Sequence, residues 1–285
     1  GGTNNIRYYA SLGYMDESGN IRGEQNKRYS GLVNLNVDYK RFSLHFGLNA
    51  NLQKKEYTPK DVGMTDYAYN TSRSVSPYNK DGSLLYYQRL TSGTNNNEEH
   101  AFNIINEYRN SSDDIDTDQI GLNLNLGYKV LPFLKAEVVF AYNVSHTNEQ
   151  IYFGEDTWYI SNLRRKDRET GEISNFSTCP VGGVLQISNT KNNSYSLRAS
   201  LNFNKMLDEN QRHQLTANVI GELSSSKYTG FNITRRGYLP DRGMIFDAID
   251  IEGNKYPDYK KWLMTPKALG RLSHNLTNLV GLVGS

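Results

Sequence analysis

The sequence predicts an all-β chain, an antiparallel transmembrane β-barrel segment of about eight strands with long extracellular loops. Three observations predict it. Apolar and polar residues alternate with a period of two in run after run. Most runs are longer than the ~5–6 residues usual in soluble strands. Short and long links alternate between the runs.

The elements follow in order. The first strand reads Ile6, Tyr8, Ala10, Leu12, Tyr14, and the second Val33, Leu35, Val37, Tyr39. The third is the clearest: Phe42, Leu44, Phe46, Leu48, Ala50 and Leu52 alternate with Ser43, His45, Gly47, Asn49, Asn51 and Gln53. A strand sends successive side chains to opposite faces, so this is one greasy face and one wet face. Two more follow at Ile120–Val130 and Leu134–Val144. Tyr195–Phe203 and Leu215–Leu223 repeat the pattern, and an apolar run, Leu279–Val283, comes last. Roughly 9–11 tilted residues cross a bilayer, which these runs supply.

The links sharpen the reading. Lys40-Arg41, Leu131-Pro132-Phe133 and Leu207–Gln211 are short, whereas Met15–Asn26, Glu56–Thr117, Asn148–Asn192 and Tyr228–Thr277 are long. Long structureless loops count against a compact soluble domain. They are expected of an outer-membrane barrel, with short turns on the periplasmic side and long loops outside. Tyr39, Tyr128, Phe133 and Phe203 flank the short turns, and Tyr14, Tyr142 and Tyr195 lie at the other strand ends. Amphipathic rings settle at membrane–water interfaces, giving two girdles. No helix of consequence is expected beyond a turn at Asp258–Met264.

Composition excludes several classes. No window approaches the roughly 18 apolar residues of a membrane-spanning helix. The 32 Lys+Arg against 30 Asp+Glu leave a net charge of +2, which gives no footprint for nucleic acid. Cys179 is the single cysteine, so there is neither a disulfide framework nor a Cys-based metal site. Asp113, Asp114, Asp116 and Asp118 form an acidic run, but an EF-hand counted from Asp114 would need Gly and Glu where Gln119 and Asn125 stand. A solvated strand end explains the run. His45, His100, His146, His213 and His274 show no metal-binding spacing, and Val181-Gly182-Gly183-Val184 lacks the Lys and helix of a phosphate loop. No catalytic constellation, metal site or cofactor site is present in the pattern, and the chain reads as a non-enzyme.

The loops hold the candidate contacts. Tyr86, Tyr87, Trp158, Tyr159 and Trp262 are the candidate substrate or partner residues, with Tyr238, Tyr256 and Tyr259 in the same segments. Flat rings with a polar tip stack on sugars or anchor a protein partner, and equally pack loops onto each other. Arg164-Arg165-Lys166 and Arg235-Arg236 are basic clusters there, read as solvated charge.

The opening segment Gly1–Tyr14, Gly-Gly-Thr-Asn-Asn-Ile-Arg-Tyr-Tyr-Ala-Ser-Leu-Gly-Tyr, resembles the strand that enters the barrel of SusC/RagA-type TonB-dependent transporters. Asn20-Ile21-Arg22-Gly23 and Arg28-Tyr29 are similar to that family's return into the next strand. The resemblance implies a complete barrel of about 22 strands. It implies that residues 1–285 are a partial receptor barrel domain without plug, TonB box or C-terminal strands. It further implies an outer-membrane location, lipid around the wall, import of oligosaccharides or peptides, a SusD-like surface lipoprotein as partner, and energy from TonB through the plug. A siderophore or cobalamin receptor of the wider class, and a small closed eight-stranded barrel with a structural or adhesion role, stay open as alternatives.

Overall fold

The computed structural model describes residues 1–90, 99–164, 172–173, 177–207, 213–242 and 271–284, the last segment as backbone. One antiparallel sheet dominates. Its strands are β1 (Ile6–Ser18), β2 (Gln25–Tyr39), β3 (Phe42–Tyr57), β6 (Ser111–Leu131), β7 (Leu134–Phe153), β8 (Gly183–Met206), β9 (Gln214–Tyr238) and β10 (Arg271–Gly284). They lie in that spatial order. A two-stranded hairpin, β4 (Tyr87–Leu90) with β5 (Glu99–Phe102), belongs to the loop between β3 and β6. Three short helices complete the loops: α1 (Met64–Asn70), α2 (Ile104–Arg109) and α3 (Trp158–Leu163). The eight expected strands are all present, and β10 contains the Leu279–Val283 run.

The register fixes the two faces. One row across the sheet reads Tyr8, Leu35, Phe46, Leu124, Phe140, Leu197, Leu223. The neighbouring row reads Tyr9, Asn34, Gly47, Asn123, Ala141, Ser196, Ser224. Because the side-chain period is two, every second residue keeps to its face across the six pairings from β1 to β9, apart from register shifts at Lys129/Leu131 and Gly183/Val184. The apolar rows form a belt on one face, running from Tyr39–Phe42–Tyr128 at the short-turn end to Tyr14–Tyr29–Leu52 at the other. At roughly 9–11 residues, tilted, such a belt is about 25 Å tall, the apolar height of an outer-membrane barrel.

Among the described residues nothing covers this belt. Leu12 is 93 % exposed, and Tyr8, Leu52, Ile120, Leu201 and Val219 are exposed too. A water-soluble sheet buries its apolar face against a second layer. Here that face meets no second layer among the described residues. The girdles are in place: Tyr14 and Tyr29 rings sit 5.0 Å apart, and Phe133 and Phe203 5.4 Å apart. Lys40 lies over the Tyr39 ring and Lys205 over the Phe133 ring at the short-turn end. Lys40 takes φ 52° to close the two-residue turn between β2 and β3.

The strands also run well past the belt. The segments Glu56–Thr117 and Asn148–Asn192, expected as loops from end to end, contribute paired residues as far as Ser111, Phe153 and Gly183. Met15–Asn26 is no long loop either: β1 continues to Ser18 and β2 begins at Gln25, leaving a six-residue turn at 19–24. The strict short–long alternation of links is corrected by this turn. Gly23 at φ 91° shapes it, and Gly19 N–H donates to Glu24 O. The Asp258–Met264 turn lies outside the described residues.

Above the belt the faces exchange character. Ile151, Phe153 and Val184 belong by register to the face that carries Asn, Ser and Gly lower down. The belt face carries Lys54, Asp114, Asp116 and Asn148 at that height. Among the described residues the buried apolar cluster lies at this end: Val62, Phe102, Ile104, Phe153, Ile160, Cys179 and Val184. Among the described residues the packed core therefore sits where the loops meet the upper ends of β7 and β8.

Candidate functional site

Two features can meet a solute: the polar face of the wall, and the loop cluster at its upper end. The polar face is a ladder of small polar groups. Arg198 donates to Glu222 at 2.7 Å, Asn202 to Glu137 at 3.0 Å, and Gln53 to Asn26 at 2.8 Å. His45 pairs with Asn36 on this face, as the alternation requires. Glycines open it: a Cβ at Gly121 would stand 2.4 Å from Asn49 Oδ1.

The loop cluster is organised by two helix starts. A helix of six residues is marginal alone, so caps and packing decide whether it forms. Asn103 caps α2: its Oδ1 accepts from Ile105 N–H at 2.9 Å and Asn106 N–H at 3.2 Å. Its amide donates to Pro77 O and Leu85 O, both at 2.8 Å. One fully buried side chain thus ties the long loop to the helix. Thr157 caps α3, accepting from Ile160 N–H at 3.3 Å and donating to Gly154 O at 2.7 Å.

Glu107 joins the two loops. Its carboxylate accepts from Trp158 N–H at 2.8 Å, at the start of α3. Such a start is electropositive, which suits an anion. The group is only 2 % exposed, and burial raises its carboxyl above the usual range despite these donors. Asn106 adds a second tie, donating to Asp156 O at 2.9 Å.

Four of the five candidate contact residues meet here. Tyr86 donates to Asn106 Oδ1 at 3.2 Å and keeps an exposed ring. Tyr87 packs on Phe102 with ring centres 5.4 Å apart. Trp158 meets Phe102 edge-on at 6.1 Å, and its indole N–H donates to Arg89 O at 3.3 Å. Tyr159 stacks on Phe153 at 3.8 Å. Burial raises the Tyr87 and Tyr159 hydroxyls above their ordinary value. Tyr238 packs edge-on against Tyr152 at 5.7 Å. Trp262, Tyr256 and Tyr259 lie outside the described residues.

The remaining motifs resolve differently. Arg164, read as solvated charge, is a staple. It donates to Cys179 O at 3.3 Å and Gly182 O at 3.1 Å, and pairs with Glu155 at 3.0 Å. Arg235 and Arg236 lie within β9 rather than in a loop. Arg165 and Lys166 lie outside the described residues. The acidic run is strand, so Asp113 points to one face and Asp114, Asp116 and Asp118 to the other. Burial, then the nearby Glu149 and Asp114 charges, push the Asp113 carboxyl up to about 6. Among the described residues no group of three or more His, Cys, Asp or Glu is gathered. Glu107 and Arg89 are the polar groups that sequence reading passed over. Asn103 and Thr157 carried a readable signal, since each is a preferred capping residue.

No protein-family description matches the chain, and no curated protein matches it. Solved structures do. The structure of the RagAB peptide transporter aligns with a TM-score of 0.63 at 16 % identity, covering 96 % of this chain and 28 % of that one. The RagAB peptide importer in its "closed-closed" state aligns at 0.62 with 16 % identity, covering 99 % and 28 %. Its "open-open" state aligns at 0.60 with 16 % identity, covering 99 % and 27 %. The chain spans little more than a quarter of the length of these proteins. The shared property is the fold, an antiparallel β-barrel wall.

Proposed function

We propose that this chain is the wall-and-rim portion of a SusC/RagA-type TonB-dependent importer of the bacterial outer membrane, taking up oligosaccharides or peptides with a SusD-like surface lipoprotein. One observation carries the reading. The sheet is apolar on the face that nothing covers and polar on the face toward which its loops fold. That is the arrangement of a wall between lipid and a wet lumen, which membrane-spanning strands require. The opening segment Gly1–Tyr14 and the shared fold support the importer class over other barrels. Among the described strands β1 and β10 end the sheet without pairing to each other, which favours a share of a larger barrel over a small closed one. On this reading the energy-coupling plug lies outside the chain, and the 58–110 and 154–182 loops face lipoprotein and cargo. Peptides are the first cargo to test, because the neighbours are named as peptide importers.

The test uses the complete protein in a Gram-negative host lacking its own copy. Uptake of labelled peptide and oligosaccharide pools is measured with and without a proton gradient. Gradient-dependent uptake of one pool, with a surface lipoprotein co-purifying, is the expected result. Uptake of neither pool, or a protein that fractionates away from the outer membrane, overturns the reading.

A further inference from the structure

A cavity of about 400 Å³ opens beside α1, and its lining includes Lys60, Asp61, Asp66, Tyr67, Tyr87 and Arg89. Its volume falls within the range of small-ligand sites. Arg89 is the unusual member. Its guanidinium lies 4.6 Å from the Phe102 ring centre and 4.5 Å from that of Trp158. Two perpendicular aromatic rings therefore brace the cation from two sides, while the residue itself remains exposed and lines the cavity. Among the described residues its side chain makes no ion pair. A guanidinium braced against two rings is a ready fork for a carboxylate, because its donors match the two oxygens and less freedom remains to be lost.

The other lining groups narrow the ligand. Lys60 adds a second cation, and Tyr67 and Tyr87 add polar surface. Asp61 and Asp66 add two carboxylates, so the cavity carries two charges of each sign. A polyanion such as a phosphate ester meets repulsion there. A molecule with one carboxylate and nearby N–H groups meets a partner for each end.

We propose that this cavity binds the free C-terminal carboxylate of a short peptide. Arg89 takes the carboxylate with help from Lys60, and Asp61 and Asp66 accept from the peptide's N–H or ammonium groups. The inference rests on the importer reading only in that the rim meets cargo.

The experiment measures calorimetric binding of tri-alanine and its C-terminal amide to the complete protein in detergent, in wild type, Arg89→Gln and Arg89→Lys. Charge-assisted hydrogen bonds to a carboxylate predict that the free acid binds at least about tenfold tighter than the amide. Arg89→Gln should erase that preference, and Arg89→Lys, which keeps the charge over the two rings, should leave part of it. Retained heat-dependent gel mobility certifies that each variant is folded. Equal binding of acid and amide in wild type, or an unchanged preference in both variants, overturns the proposal. So does inorganic phosphate displacing tri-alanine at matched concentration. No binding of either peptide, with gradient-driven cargo uptake intact, removes this site and leaves the importer reading standing. Absence of uptake itself removes the importer reading.

Discussion

Placing an arginine at the middle of the belt tests which face of the wall meets lipid. Leu124 lies midway between Ile120 and Tyr128 on the apolar face, in register with Phe46 and Phe140. At ~3.4 Å per residue, shortened by a tilt near 40°, it lies about 10 Å from the Tyr128 row and about 16 Å from the Leu52 row, near the middle of the belt. That is the bilayer midplane, where Arg on the lipid face of a barrel costs about 2–4 kcal/mol. Leu124→Arg should therefore weaken folding roughly 30- to 1,000-fold. Asn123→Arg is the control at the same height. Asn123 is exposed on the polar face beside Gly47 and Ala141, which leave room for a long side chain. Its cost should stay within about 1 kcal/mol, as for an ordinary surface substitution. Denaturant titration of the complete protein refolded into lipid vesicles, read by tryptophan fluorescence and gel mobility, compares the two. Equal costs, or a larger cost for Asn123→Arg, would refute the assignment of the faces.

Other predictions concern the rim. Phe153→Ala removes a fully buried ring stacked on Tyr159 and should cost about 3–5 kcal/mol locally, seen as faster proteolysis of the 154–182 segment. Glu107→Ala should loosen the same segment by about 1–2 kcal/mol through loss of the bond to Trp158 N–H. Glu107→Gln keeps an acceptor without a buried charge, and since burial raises this carboxyl, the rim should be at least as protease-resistant as wild type at neutral pH. Asp113 titrates near 6 against about 3.9 in an unfolded chain, so its ionisation opposes folding above pH 6. That penalty fades as pH falls from 7 towards 4. Asp113→Asn should raise stability by about 1 kcal/mol at pH 8, after allowance for solvent screening, and by nothing at pH 4. A denaturation series across that range checks it.

The wall was legible because its two solvents write a contrast into every second residue. Phe42–Leu52 and Ile120–Val130 could hardly be read otherwise. The contrast ends where the strands leave the lipid. In Asp113–Gln119 and Ser145–Gln150 both faces are mostly polar, so neighbouring residues cannot distinguish a ladder from a solvated loop. Only pairing between distant segments does that. The helices escaped because six or seven residues are too few to establish a 3.6-residue period. Within the rim, the rings of Tyr86, Tyr87, Trp158 and Tyr159 announced themselves by type. Glu107 did not, since a glutamate is buried only when a partner from another loop arrives, here the backbone of Trp158.

β7 and β8 are single unbroken ladders from the short turn to the loop core, rising roughly 18 Å beyond the belt. Mechanically the rim is a flange welded to the pipe. A push on α2 or α3 is transmitted down through hydrogen-bonded backbone into the membrane wall, with no hinge in between to absorb it. On the proposed importer reading, traffic through such a mouth is controlled by whatever seats on the flange or stands inside the pipe, and the flange supplies a surface for that seal.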